Sequence, residues 1–395
     1  MSKVMNNNNQ RTFIFKSSYK RGAWILIAIG LIGTLAGFLL NPTQAWANFL
    51  LNNVYFITLS VCGLFFVALQ YVSGASWSEV LRRIPEAMAA YIPIGGILML
   101  FLFFGMHSLF HWSHHEVVVN DPILSGKEPY LNVSFYFIRL LFIVLTWSLF
   151  SVWIRSNSIK QEKFRNLRFY QTNIGVSALF MIFFAVTVSM ASFDWLMSLD
   201  PHWYSTIFAI YNFSGLFVSG LSVITIIAYF LSSKKILPEI NENHFHDLGK
   251  YLLAFTTFWA YIWYSQFVLI WYGNIPEETI YFVQRLKGDW TWLFYTNLLI
   301  NFVIPFFILL PRASKRSGAM IMRVSVLLLV GRWLDLYLMI APSTLGKEAS
   351  IGLIEVSMAL GFAGLFILIV GRALSKRSVL PPDSPILQRS IHFHQ

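Results

Sequence analysis

The sequence is short of charge. Asp, Glu, Lys and Arg make up only 12% of its 395 residues, against roughly 25% in soluble proteins. So little charge cannot cover a water-facing surface on a chain of this length, and most of the surface must face lipid. Disorder, collagen-like repeats and coiled coils are excluded as whole-chain descriptions. Cysteine is almost absent. The single Cys62 rules out an internal disulfide and a cysteine-ligated iron–sulfur cluster. There is no P-loop, no GxGxxG after a strand and no nucleophile elbow. A membrane haem b needs histidines facing each other from two spans. Here His107 and His111 share one apolar stretch and the other histidines lie in connectors or the tail. No redox metal is therefore expected in this polypeptide.

What the sequence has is hydrophobic length. A membrane helix needs about 20 mostly apolar residues, and ten stretches qualify: 22–40, 53–73, 91–113, 132–155, 173–193, 205–231, 250–272, 290–310, 319–341 and 350–372. The expectation is an all-α integral membrane protein. It has a polar tail at 1–21, a ten-helix domain at 22–372 and a second tail at 373–395. The first stretch lacks a cleavage site and reads as a retained helix. Segment 74–90 mixes Trp77, Val80, Leu81 and Ile84 with Glu79, Arg82, Arg83 and Glu86. It reads as a short amphipathic helix at the interface.

The net charge of +11 is unevenly placed. The tails and connectors 2–3, 4–5, 6–7 and 8–9 carry 21 Lys and Arg, and the opposite connectors only four: Lys127, Arg285, Lys287 and Lys347. By the positive-inside rule both termini are cytoplasmic. The excess serves topology, and no nucleic-acid partner follows from it.

Ionisable side chains inside spans cost about 2.5–3.5 kcal/mol near the bilayer centre and are usually paired or functional. Here they are His107, Arg139, Arg332, Asp335 and Glu355, with Asp194 ending a further span. At 1.5 Å per residue they sit roughly 8–14 Å below the outer edge. Two readings stand side by side. In one, Arg332 pairs with Asp335 at i, i+3 and Arg139 neutralises Glu355 as structural glue. In the other, the groups form a proton or quinol-headgroup site. His107, His111, His114, His115 and Glu116 suggest a metal at one helix face, but all sit at a single helix end, and amphipathic residues at that end are the plainer reading. Asn297, Asn301 and Pro305 recur every fourth residue. Pro305 lacks an N–H and frees the Asn301 carbonyl, although a simple kink explains the same pattern. Asp200 before Pro201 reads first as the N-cap of the sixth span.

Three strings carry a resemblance: FDWLMSLDPHWYS at 193–205, FWAYIWYSQFVLIWYGNIPEET at 258–279 and GRWLDLY at 331–337. With ten spans and basic connectors, the chain resembles the ActF family of membrane subunits of bacterial alternative complex III. That family belongs to the polysulfide-reductase membrane-subunit class. The resemblance implies a core of two four-helix bundles in the bacterial inner membrane. It implies a place in a quinol:cytochrome c or quinol:acceptor oxidoreductase, with quinol or menaquinol as a possible bound substrate. Haems and iron–sulfur clusters would belong to partners: a multihaem cytochrome, an iron–sulfur protein, a sister membrane subunit of the ActC type and a terminal oxidase. Carried over onto the strings, the proton-path candidates gain Asp194, Asp200 and His202 beside Arg332 and Asp335. Tyr261, Tyr264 and Gln266 become candidates for contact with quinone. The competing classes are a secondary transporter and a purely structural anchor. Transport is the weaker reading, because transporters place sites at the midplane between repeats and no repeat is evident here.

Overall fold

The computed structural model describes residues 11–346, 351–382 and 384–394. Lys3 and Lys347 of the charge tally lie outside them. The chain is all-helical. Among the described residues ten helices are long and apolar enough to span a bilayer: Ser17–Leu40, Pro42–Ser73, Arg83–Leu109, Val133–Phe164, Arg168–Leu199, Phe208–Ser233, Glu242–Gly273, Thr291–Leu309, Gly318–Thr344 and Leu353–Ser375, here spans 1 to 10. This is a multi-pass membrane protein. Several helices overrun the apolar stretches that announce them, since polar residues extend a helix beyond the hydrocarbon at no cost to its backbone hydrogen bonds.

Local chemistry sets the ends. Span 2 starts at Pro42, and the Asn41 side chain accepts the Gln44 N–H at 3.1 Å. It stops at Gly74, whose φ of 62° most residues avoid. Span 3 departs from a regular helix. It tightens into a 3-10 stretch at Phe101–Gly105 and ends at Leu109.

Spans 2, 4 and 5 pack together with span 3, while span 6 packs on spans 7 and 9, and span 8 lies against spans 7 and 9. Span 2 also touches spans 6 and 9 and joins the two groups. Span 1 lies along span 10. Their backbones approach so closely that a Cβ on Gly30 would stand 2.2 Å from the Gly361 Cα. Small residues admit this contact, which is how apolar helices associate in lipid. The terminal segments meet on one face. Thr12 pairs with Ser378, and the Val379 N–H donates to the Arg11 carbonyl at 2.7 Å. Asn241 and Asn243 at the start of span 7 donate to the Phe393 carbonyl at 3.3 and 3.2 Å, so connector 6–7 lies on that same face.

Segment 74–90 is not an interfacial helix. Trp77–Leu81 is a 3-10 turn, and span 3 begins at Arg83, well ahead of residue 91. Glu79, Arg82, Arg83 and Glu86 are all buried. They neutralise one another. Arg82 meets Glu79 at 2.6 Å, and Arg83 meets Glu86 and the Glu162 of span 4 at 2.7 Å each. Ser158 donates to Glu86 at 2.7 Å. Alternating apolar and charged residues look the same whether the charges meet water or each other, and only the packing of spans 2, 4 and 10 and the C-terminal segment distinguishes the two.

Candidate functional site

Span 9 is a continuous helix through Arg332 and Asp335, so the two side chains share a face at i, i+3. Both are buried, at 3% and 1% exposure. Arg332 Nη1 donates to Asp335 Oδ2 at 2.5 Å and Nη2 to the Asn212 Oδ1 of span 6 at 3.0 Å. The other carboxylate oxygen accepts the Tyr211 hydroxyl of span 6 and the Asn297 amide of span 8, the latter at 2.9 Å. Asn301 in turn donates to Asn297 Oδ1 at 2.6 Å. One carboxylate thus gathers donors from three helices. The i, i+3 half was legible in the sequence. Tyr211 and Asn212 were not singled out, because a Tyr-Asn pair in an aromatic-rich span carries no distinctive signal.

Two glycines make room. A Cβ on Gly215 would lie 2.5 Å from Arg332 Nη1, and one on Gly331 would lie 2.5 Å from Asn301 Oδ1. Span 8 also changes pitch. Leu299–Val303 is a π-helical turn just before Pro305. The expected interruption near Asn301 is therefore a π-bulge, a feature common at functional sites.

Beside Asp335 lies a cavity of about 20 Å³, walled by Tyr211, Gln266, Tyr281, Arg285, Phe294 and Asp335 among others. That is room for about one water molecule. The Gln266 amide nitrogen is buried and has no protein partner. Arg285, read as a connector charge, is buried. Its guanidinium donates to the carbonyls of Leu338 and Met339 at 3.0 Å each and to Ser343 Oγ at 3.1 Å. Pro342 lies inside span 9 and has no N–H, which leaves the Leu338 carbonyl free for Arg285. Tyr281 is held between the Trp203 ring, 3.8 Å away, and the Arg285 guanidinium, 3.4 Å away. Burial pulls the Arg285 guanidinium below its ordinary pKa, with Tyr281 and Asp200 opposing.

The other candidates fall elsewhere. Arg139 does not neutralise Glu355. It makes a two-pronged bond to Asp194 at 2.7 and 3.1 Å. Spans 4 and 5 pack along each other and bring Asp194 against Arg139, while Glu355 is held by amides of span 2, so the nearer acid takes the arginine. Tyr130 supplies a carbonyl to Arg139 at 2.8 Å and a ring face at 3.8 Å. Burial, and Asp194 after it, push the Tyr130 hydroxyl up to about 12. Glu355 is fully buried and accepts amides only: Gln44 at 2.6 Å, Asn48 at 2.8 Å and the Gly352 N–H at 2.9 Å. It forms no ion pair among the described residues. Gln44, Asn48 and Asn52 recur every fourth residue of span 2, a polar stripe that was legible in the sequence and passed over.

Asp200 does not cap span 6, which begins at Phe208. The intervening residues form turns, and Asp200 is half-buried. His202 is exposed and bonds Asp121 at 2.6 Å. His107 is exposed and bonds Ser113 at 3.0 Å. The helix ends at Leu109, so the four histidines share no helical face, and no three His, Cys, Asp or Glu side chains among the described residues are placed to hold a metal. Tyr261 and Tyr264 are 64% and 60% exposed and point away from the core, while Gln266 is on the opposite, buried face of span 7. The structure therefore separates Gln266 from the two tyrosines taken with it as quinone contacts.

No family model matches the chain, and no curated protein matches it.

Proposed function

We propose that this chain is a membrane subunit of a quinol-oxidising respiratory complex of the alternative complex III type, with Asp335 as its proton-exchanging group. The observation that carries the reading is the meeting of Asp335, Arg332, Tyr211 and Asn297 from three helices beside a water-sized cavity. The three donors to Asp335 fill three of about four acceptor sites on its carboxylate, so a proton can enter at the remaining site on Oδ2 or where a donor turns away. The Tyr211 hydroxyl can rotate, and Gln266 and one water offer the proton its next station. The pairings of spans 2–5 and of spans 6–9 support a core of two four-helix bundles, with spans 1 and 10 alongside. In this reading electrons travel through haems and iron–sulfur clusters of partner subunits, and quinol or menaquinol is oxidised at the membrane. The anchor reading rests on the same cluster, taken as permanent glue.

The sidedness follows from the bias of 21 basic residues to four. Both termini face the cytoplasm of a bacterial inner membrane. A single cysteine at exposed Arg165 should be protected from an impermeant maleimide in intact cells, and one at exposed Ser125 should label. Cys62 is buried and adds little background. Labelling at position 165 would reverse the topology.

The decisive experiment reconstitutes the assembled complex with Asp335→Asn or Glu355→Gln into vesicles. Asn keeps the shape and loses the proton site. Asp335→Asn leaves the buried Arg332 facing a neutral partner and should lower stability, and the complex that assembles should turn over at least about tenfold more slowly, or release fewer protons per electron, a loss typical of removing an acid–base group. Glu355→Gln tests whether the path extends to span 10. Full assembly with unchanged turnover and proton release in both variants would refute the proton role and leave the anchor.

A further inference from the structure

Spans 1, 2, 6, 9 and 10 enclose a groove of about 670 Å³, lined by Phe15, Leu26, Phe56, Ile227, Phe230 and Phe366 among others. This volume is in the range of pockets that enclose a sizeable ligand. The deep wall offers no free polar group for a headgroup. Its one hydroxyl there, on Tyr55, is already committed to the Leu329 carbonyl at 2.9 Å. The groove therefore suits hydrocarbon chains and not a polar ring.

The mouth has the opposite character. The helices forming three of its walls each end on that side at a lysine: Lys16 at the N-cap of span 1, Lys234 at the C-cap of span 6 and Lys376 at the C-cap of span 10. All three are exposed, and none has an acidic partner among the described residues. At the ends of spans 6 and 10 a lysine complements the helix dipole. At the start of span 1 it does not, because a cation there meets the positive end of the helix. That end also has no side-chain cap and no acid in its first turn. Cations at the ends of three helices that wall an apolar slot match one occupant. We propose that the groove binds an anionic glycerophospholipid, with acyl chains along Phe56, Ile227 and Phe366 and the phosphate among Lys16, Lys234 and Lys376. This site is independent of the Asp335 cluster.

The test uses the full-length protein in mild detergent, offered equal phosphatidylglycerol and phosphatidylcholine of the same chain length, with bound lipid counted by native mass spectrometry. Phosphatidylglycerol should be retained about tenfold over phosphatidylcholine, as expected for several cations at one phosphate. Lys16→Glu with Lys376→Glu should bring the two lipids to parity. Ile227→Trp should fill the slot and remove the retained lipid altogether, and Ala363→Trp serves if that variant folds poorly. Arg312→Glu, a basic residue on the same side but away from the groove, should leave the preference intact. Equal retention of both lipids by the unaltered protein would overturn the proposal. So would a preference that survives the double lysine variant or falls equally with Arg312→Glu.

Discussion

Arg139→Leu should destabilise the protein by about 3–5 kcal/mol, the cost of leaving one partner of a buried ion pair without the other. Arg139 and Asp194 are 4% and 1% exposed, so water cannot replace the lost guanidinium. Both Asp194 oxygens would lose an arginine N–H, and the Tyr130 carbonyl would lose its partner at 2.8 Å. The check is the fraction of protein surviving heating in detergent, compared with Arg139→Leu/Asp194→Leu. The double variant should recover most of the loss, because two apolar side chains need no pairing. A single variant as stable as the unaltered protein would mean that the pair contributes little to folding.

A second large effect is expected at Arg332, where charge and shape are separable. Arg332→Leu removes the cation facing Asp335 and should again cost about 3–5 kcal/mol. Arg332→Lys keeps the charge but not the planar fork. A lysine ammonium cannot serve Asp335 Oδ2 and Asn212 Oδ1 in the arginine's geometry, and it cannot lie flat over Gly215 as the guanidinium does. About 1–3 kcal/mol should be lost from the unpaired Asn212 oxygen alone. If Asp335 exchanges protons, Arg332→Lys should also shift the pH dependence of turnover in the assembled complex, since the field at the carboxylate changes while its charge partner remains. A stability loss with an unmoved pH profile would assign Arg332 to structure only.

Some of this was written in the linear chain. Ten apolar stretches of about 20 residues and a scarcity of charge point to a helical membrane protein, because lipid admits only helices and closed barrels and barrel strands are about half that length. The i, i+3 spacing of Arg332 and Asp335 puts them on one face wherever span 9 packs, and the Asn297–Asn301 stripe marks a polar face on span 8 by the same logic. Helical periodicity is a local property, and these readings needed nothing else.

Partner choice between helices is not local. Arg139 could have met Asp194 or Glu355, and only the adjacency of spans 4 and 5 selects Asp194. Tyr211 joined Asp335 and Asn212 joined Arg332 because span 6 lies beside span 9. Glu79, Arg82, Arg83 and Glu86 looked solvated until spans 2, 4 and 10 and the C-terminal segment packed around them. Tyr261 and Gln266 sit in one string of sequence but on opposite faces of span 7. Burying a charge is tolerable only when the rest of the fold delivers its partner, so which charges are buried, and against what, was decided by packing.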